Sequence, residues 1–200
     1  DSPYPSIYRA AQHFKVNMKR IILTLTALVI TAQADWKQWR GPTGQGHANA
    51  NLPIEWNEKK NIKWRTTIPG KGWSSPVIEG NQVWMTTAFE TVASEEERRE
   101  RLKKNTGGVP VHVLSSVRLN AVCVDKQNGK LLHNIEVITK KQPQWVHKLN
   151  SYASPSPIIE SGRVYCHFGA YGTVCVDAKT GKVAWRNDKV WVMHENGPGS

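Results

Sequence analysis

The strongest constraint on the fold is a hairpin-like segment that the chain contains twice. "VCVDKQNGKLLH" (122–133) and "VCVDAKTGKVAW" (174–185) are identical at six of their twelve positions. In each copy an aspartate ends an apolar strand, where its carboxylate can accept amide hydrogen bonds of the following turn. A glycine suited to a left-handed conformation precedes the return strand. Duplication of such a unit predicts a fold assembled from repeated small sheets.

The repeat extends upstream of the hairpin and reveals an insertion. "PVIEGNQVW" (76–84) aligns with "PIIESGRVY" (157–165) at an offset of 81 residues, whereas the hairpin copies are 52 residues apart. The difference of 29 residues predicts an insertion in the first copy, at about 88–117. Within it, "ASEEERRERLKK" predicts a helix with a capping box from Ser94 and Glu97. We expect an exposed decoration, with a partner-binding arm as the alternative.

The second copy predicts four short strands at 158–159, 163–168, 173–177 and 182–185, separated by glycine-containing turns. Apolar residues on both faces of these strands favour sheets that are covered on both sides. We therefore predict an all-β protein, a β-propeller of four-stranded antiparallel blades. Residues 35–200 would hold two full blades, at about 73–138 and 152–189, and partial blades around them.

The segment 18–34 has the pattern of a secretory signal peptide. A basic start at Met18 is followed by eleven apolar or small residues (21–31) and by Ala32-Gln33-Ala34. The run is shorter than the roughly 20 residues that a membrane span requires. We expect export to the periplasm or cell envelope, with no stable membrane span after cleavage. Residues 1–17 are read as a leader or upstream sequence of doubtful origin.

The charge and the spacing of potential ligands favour neither nucleic acid nor a metal. Without residues 1–34 the chain has 23 basic and 15 acidic residues, a net charge of +8. These charges are scattered, and no nucleic-acid-binding motif accompanies them. No zinc-ligand spacing and no C-x-x-C-H sequence occur. We therefore expect neither a nucleic-acid partner nor a metal site.

The second hairpin resembles the tryptophan docking motif of pyrroloquinoline-quinone-like (PQQ-like, or quinoprotein alcohol dehydrogenase-like) β-propellers. The resemblance is carried by Asp177, Thr180, Gly181 and Trp185. The first hairpin keeps Asp125 and Gly129 but has Asn128 and His133 at the other two positions. The resemblance implies that the closing tryptophan of each blade packs against the neighbouring blade. Docking by the first hairpin is therefore an open question.

Other segments resemble the exported PQQ-like repeat proteins of the planctomycete type. They are "DWKQWRGPTGQG" (35–46), "GKGWSSPVI" (70–78), "HKLNSYASPSPI" (147–158) and "HENGPGS" (194–200). The resemblance covers essentially all of 35–200 and implies a ring of six to eight blades, of which this chain is the N-terminal part.

The resemblance implies a non-catalytic binding or scaffolding platform in the cell envelope, for a protein, small-molecule or glycan ligand. The closest functional analogy is the propeller subunit of the outer-membrane barrel assembly machinery. The alternative is an alcohol or sugar dehydrogenase that uses pyrroloquinoline quinone with calcium. No catalytic residue of such enzymes can be identified here, and no cofactor is indicated. A glycan-binding module is a further alternative, although the recurrence of tryptophans at matching repeat positions favours packing.

Four polar residues are the candidates for ligand contact. His147 and Asn150 precede the second full blade, and His194 and Asn196 precede the start of a third. In a propeller these loops surround the central channel. The competing interpretation is that the side chains satisfy backbone groups of their own loops.

Two cysteines suggest a cross-strand pair. If 169–172 is a four-residue loop, Cys166 faces Cys175 with Cβ atoms about 5.5 Å apart. This geometry allows a strained disulfide or two buried thiols.

Overall fold

The computed structural model describes residues 35–103 and 111–189, which form an all-β fold with one helix. The first blade comprises β1 (Val77–Glu79), β2 (Gln82–Val92), β4 (Leu114–Asp125) and β5 (Leu131–Lys141). The second comprises β7 (Ile158–Glu160), β8 (Arg163–His167), β9 (Thr173–Asp177) and β10 (Val183–Asn187). Each is a four-stranded antiparallel sheet in chain order. The predicted propeller blades are thereby confirmed.

A third, two-stranded sheet joins the insertion to the connection between the blades. It pairs β3 (Val111–His112) with β6 (Val146–His147), the two strands being antiparallel. The helix α1 (Glu95–Leu102) precedes β3, and the Ser94 Oγ accepts a hydrogen bond from the Glu97 N–H at 3.1 Å. The predicted helix start is confirmed. None of the helices in the described ranges is long and apolar enough to span a membrane.

The helix of the insertion is exposed, with none of its residues buried, and it is also anchored to the blade. The Arg101 guanidinium donates hydrogen bonds to the carbonyls of Leu114 and Pro143. Ala93, Val111 and Val113 form a small buried cluster, against which Leu102 and Trp145 pack. The expected exposure of the helix agrees with the structure, but the helix sequence alone did not reveal the anchoring, because Arg101 and Trp145 make contacts distant in sequence.

One hydrophobic core runs through both blades. Its largest members, Trp84, Tyr152 and Phe168, are fully buried. Trp84 belongs to the first blade, Phe168 to the second, and Tyr152 to the loop between them. Burial of a large apolar side chain stabilises a fold by about 1.5–3 kcal/mol. The blades are therefore held together by the same contacts that stabilise each of them.

The predicted register, in which Cys166 directly faces Cys175, is wrong. His167 pairs with Thr173, so the β8–β9 loop contains five residues, and the Phe168 N–H donates to the Gly172 carbonyl at 2.9 Å. Cys166 consequently lies opposite Val174, and Cys175 lies opposite Tyr165. A shift of one residue places side chains on the opposite face of a strand. Both thiols, like that of Cys123, are free and buried.

Candidate binding surface at the lead-in loops

The segment before the first blade runs between the inner strands of both blades. Trp36 exchanges two backbone hydrogen bonds of 2.8 Å with Ile78 in β1. The Lys37 carbonyl accepts the Ile159 N–H in β7, also at 2.8 Å. Residues 35–37 therefore connect the otherwise unpaired edges of β1 and β7.

A tight reversal then directs the following residues outward. Gly41 has φ of +73°, and a Cβ added there would lie 2.6 Å from the Trp36 ring. A residue other than glycine would be strained and would displace the indole. The turn thus depends on Gly41, and it leaves the preceding Trp39 and Arg40 exposed.

The loops that precede β1 and β7, termed here the lead-in loops (70–76 and 150–157), lie side by side. The backbone N–H groups of Trp73 and Ser74 both donate to the Ala153 carbonyl at 3.1 Å. The Ser75 N–H donates to the Ser156 Oγ at 3.0 Å. Because Ser75 and Ser156 occupy equivalent positions of the repeat, the two blades meet through matching parts of their loops.

Two exposed tryptophans lie in or beside these loops, and together with their neighbours we call them the lead-in surface (Trp39, Arg40, Trp73 and 154–156). The side chains of Trp39 and Trp73 are 57% and 58% exposed. The Arg40 guanidinium carbon lies 4.5 Å from the centre of the Trp39 ring, a cation–π contact. Beside Trp39 is an open cleft of about 450 Å³, lined by Gln38, Trp39, Ser154, Pro155, Ser156 and Ile158.

In a larger neighbouring cleft, Lys37 and Asp35 already take part in ion pairs. It has a volume of about 730 Å³ and is lined by residues of segment 35–42 and of 158–161. Lys37 Nζ lies 2.6 Å from a Glu79 carboxylate oxygen and 3.5 Å from Asp35. The hydrogen bond with the Glu79 carboxylate makes the largest contribution to raising the pKa of Lys37. Arg40, by contrast, takes part in none of the ion pairs found between described residues.

Two of the four predicted ligand residues shape the second lead-in loop and the turn before it. His147 lies in β6 opposite Val111, and its Nδ1 accepts the Leu149 N–H at 3.0 Å. The Asn150 Oδ1 accepts the Ser151 N–H and the Ser154 hydroxyl, each at 2.8 Å. His194 and Asn196 lie outside the described residues. Ligand contact by these four residues stays a prediction.

The docking-motif residues build their turns in the two blades in a similar way. The Asp177 Oδ1 accepts the N–H and the hydroxyl of Thr180 at 2.9 Å each. The Thr180 N–H, more than any other group, lowers the pKa of Asp177. In the first blade the Asp125 Oδ1 accepts the N–H groups of residues 127 and 128. Gly129 and Gly181 follow with φ of +73° and +70°.

Trp185 packs at a tilt against Tyr165, with ring centres 6.0 Å apart, and is 45% exposed. Its indole therefore contacts its own blade along one side. The role of Trp185 in docking against another blade stays a prediction.

The sequence interpretation missed Trp39, Arg40 and Trp73 because it assigned the tryptophans to packing. A usable signal was present: Trp39 and Arg40 directly precede a glycine, and Trp73 lies between a glycine and two serines. The core tryptophan Trp84 has the apolar neighbours Val83 and Met85 instead. Among residues 35–103 and 111–189, no three His, Cys, Asp or Glu side chains are grouped so that they could hold a metal ion.

Comparison with known proteins supports the repeat architecture. Residues 98–196 match the family model described as outer membrane protein assembly factor BamB, a PQQ-like repeat family. The match includes the second blade and all of β4 and β5 of the first blade. No curated protein matches the chain. The chain is thus similar to PQQ-like repeat proteins in its sequence and in its blades.

Proposed function

We propose that the protein is a non-catalytic platform of the cell envelope that binds a protein partner at the lead-in surface. The observation that carries this proposal is the exposure of Trp39 and Trp73 beside the paired lead-in loops. Trp84, a core tryptophan of the same blade, is fully buried. The similarity to a family described as an assembly factor supports a protein as the partner.

The chemistry of the surface fits a protein interface. Tryptophan and arginine are enriched among the residues that dominate binding energy at protein interfaces. Arg40 is held against Trp39 and keeps donors for a carboxylate or carbonyl of the partner. The paired charges of Lys37, Glu79 and Asp35 mark the polar edge of the same region.

Site-specific photo-crosslinking tests the proposal. A photoreactive phenylalanine analogue placed at Trp39 or Trp73, in the organism that makes the protein, should yield the same protein adduct from both positions. The matched control is Val92, which is 73% exposed at the far end of β2. Equal crosslinking from Val92, or no adduct from either tryptophan position, would contradict the proposal.

Two assays address the alternative functions. Pyrroloquinoline quinone and calcium added to the protein should give no dye-linked oxidation of alcohols or sugars. A glycan-binding module would instead be retained on polysaccharide columns and would lose this retention on Trp39→Ala or Trp73→Ala. Oxidation in the first assay would indicate a dehydrogenase instead of a non-catalytic platform. Tryptophan-dependent retention in the second assay would indicate a glycan ligand instead of a protein partner.

We propose further that residues 18–34 direct export and are removed before Asp35. The basic start, the apolar run and the A-x-A end support this assignment. N-terminal sequencing of the protein from the periplasmic fraction should begin at Asp35. A protein that keeps Met18 and stays in the cytoplasm would contradict it.

A further inference from the structure

The junction between the segment before β1 and the first blade is made by a tryptophan. The Trp64 indole N–H donates to the Lys126 carbonyl at 2.8 Å, and the Thr66 hydroxyl donates to the Gly129 carbonyl at 2.6 Å. A Cβ added to Gly129 would lie 2.5 Å from the Trp64 ring. The indole therefore rests directly on the glycine of the next turn and donates to a carbonyl beside it.

The junction between the two blades lacks a tryptophan at the corresponding place. His133 occupies it, and its Nδ1 would lie 2.8 Å from a Cβ added to Gly181. The imidazole stacks on Trp84 with ring centres 5.5 Å apart and an angle of 15° between the planes. His133 thus fills the space above Gly181, and the Trp84 indole stacks on the imidazole rather than on the glycine.

The carbonyl of this junction receives its hydrogen bond through a different side chain. Ala178 follows Asp177 as Lys126 follows Asp125, so the Ala178 carbonyl is the counterpart of the acceptor used by Trp64. Its donor across the junction is the Gln82 side-chain amide, at 2.9 Å. The Gln82 Oε1 in turn accepts the Trp84 indole N–H at 3.1 Å.

The two blades place their indoles at opposite positions of an aromatic pair. The pair joins the second and the fourth strand: Trp84 with His133 in the first blade, and Tyr165 with Trp185 in the second. The repeat alignment equates Trp84 with Tyr165 and His133 with Trp185. Gln82 is aligned with Arg163, which instead binds the Asp177 carboxylate of its own blade at 3.1 Å.

We infer that Gln82, Trp84 and His133 form a substitute latch between the blades, in which the docking indole has moved from the fourth strand to the second. The Gln82 side chain connects the buried Trp84 N–H to the neighbouring blade, because it accepts a hydrogen bond from Trp84 and donates one to the Ala178 carbonyl. His133 is small enough to stack between Trp84 and the Gly181 turn. A tryptophan at position 84 therefore requires a smaller ring at position 133, and a tryptophan at position 133 requires a smaller ring at position 84.

Reversing the pair tests the latch. In the full chain, Trp84→Tyr should lower the urea midpoint, monitored by far-ultraviolet circular dichroism. Adding His133→Trp to Trp84→Tyr should raise it again, because the double variant has the arrangement of the second blade. His133→Trp alone should lower it, because two indoles overfill the site. His133→Trp should thus lower the urea midpoint when residue 84 is tryptophan and raise it when residue 84 is tyrosine.

A second variant keeps the test decisive if Trp84→Tyr does not fold. Gln82→Met retains the length of the side chain but cannot donate to the Ala178 carbonyl. It should lower the midpoint of the wild type and speed amide exchange at residues 177–182. In the Trp84→Tyr/His133→Trp background its effect should be smaller, since an indole at position 133 can supply the donor. An equal effect in both backgrounds, or the same sign for His133→Trp in both, would overturn the inference.

Discussion

Single glycines decide how closely neighbouring blades approach, and Gly162 and Gly181 allow a matched comparison of this effect. Gly181 and Gly162 both have φ of +70°, but among the described residues only Gly181 has a neighbour, His133, within contact distance. Gly162→Ala should cost about 1 kcal/mol from the left-handed backbone alone. Gly181→Ala should cost distinctly more, because its Cβ also displaces His133. Urea unfolding of the two variants measures the difference, and equal losses would argue against a close junction at Gly181.

The pH dependence of stability tests the Asp177 turn. Hydrogen bonds from Thr180, followed by the Arg163 charge, lower the pKa of Asp177 in the folded protein from 3.8. A carboxylate with a lowered pKa contributes stability above its unfolded pKa and loses it as the pH falls through the folded pKa. The difference in urea midpoint between wild type and Asp177→Asn should persist at pH 6 and shrink below about pH 3.8. A difference that grows on acidification would contradict this sign.

At the scale of elements, the sequence predicted what local chemistry determines and failed where distant contacts decide. The strands of the second blade agree with the prediction within two residues, because Asp177 and Gly181 specify their turn. The loop after Phe168 was taken as four residues, and the extra residue changed which partner Cys166 faces. A count of turn residues in the sequence could not reveal that Phe168 leaves the strand ladder.

The insertion allows a prediction about one element. Arg101→Ala should destabilise the fold by about 1.5–3 kcal/mol, because Arg101 binds two carbonyls and is only 20% exposed. Arg99→Ala is the matched control: Arg99 is 77% exposed, and its one ion pair among the described residues is with Glu95 on the same helix, which is worth about 0.5 kcal/mol or less. Thermal unfolding compares the two variants. Similar losses would mean that the helix is not anchored through Arg101.

At the scale of the molecule, the sequence predicted the architecture more completely than the candidate surface. Repetition shows that Trp73 and Trp84 belong to one unit, but it does not show which of them faces solvent. That distinction arises from Ala153, whose carbonyl binds the backbone of Trp73 and leaves the indole outside. The lead-in surface is therefore a product of two loops 81 residues apart, and neither loop defines it alone.

The shared core predicts that both blades unfold together. Cys123 lies in the first blade, Cys166 and Cys175 lie in the second, and all three thiols are buried. Burial raises the pKa of Cys123 and Cys166 to about 12, so the native thiols should resist alkylation at neutral pH. Pulsed alkylation along a urea gradient, read by mass spectrometry, should label Cys123 and Cys166 at one common midpoint. A common midpoint is expected because a core that opens as a whole exposes both thiols at once. Labelling of Cys166 at a lower urea concentration than Cys123 would show that the two blades unfold independently.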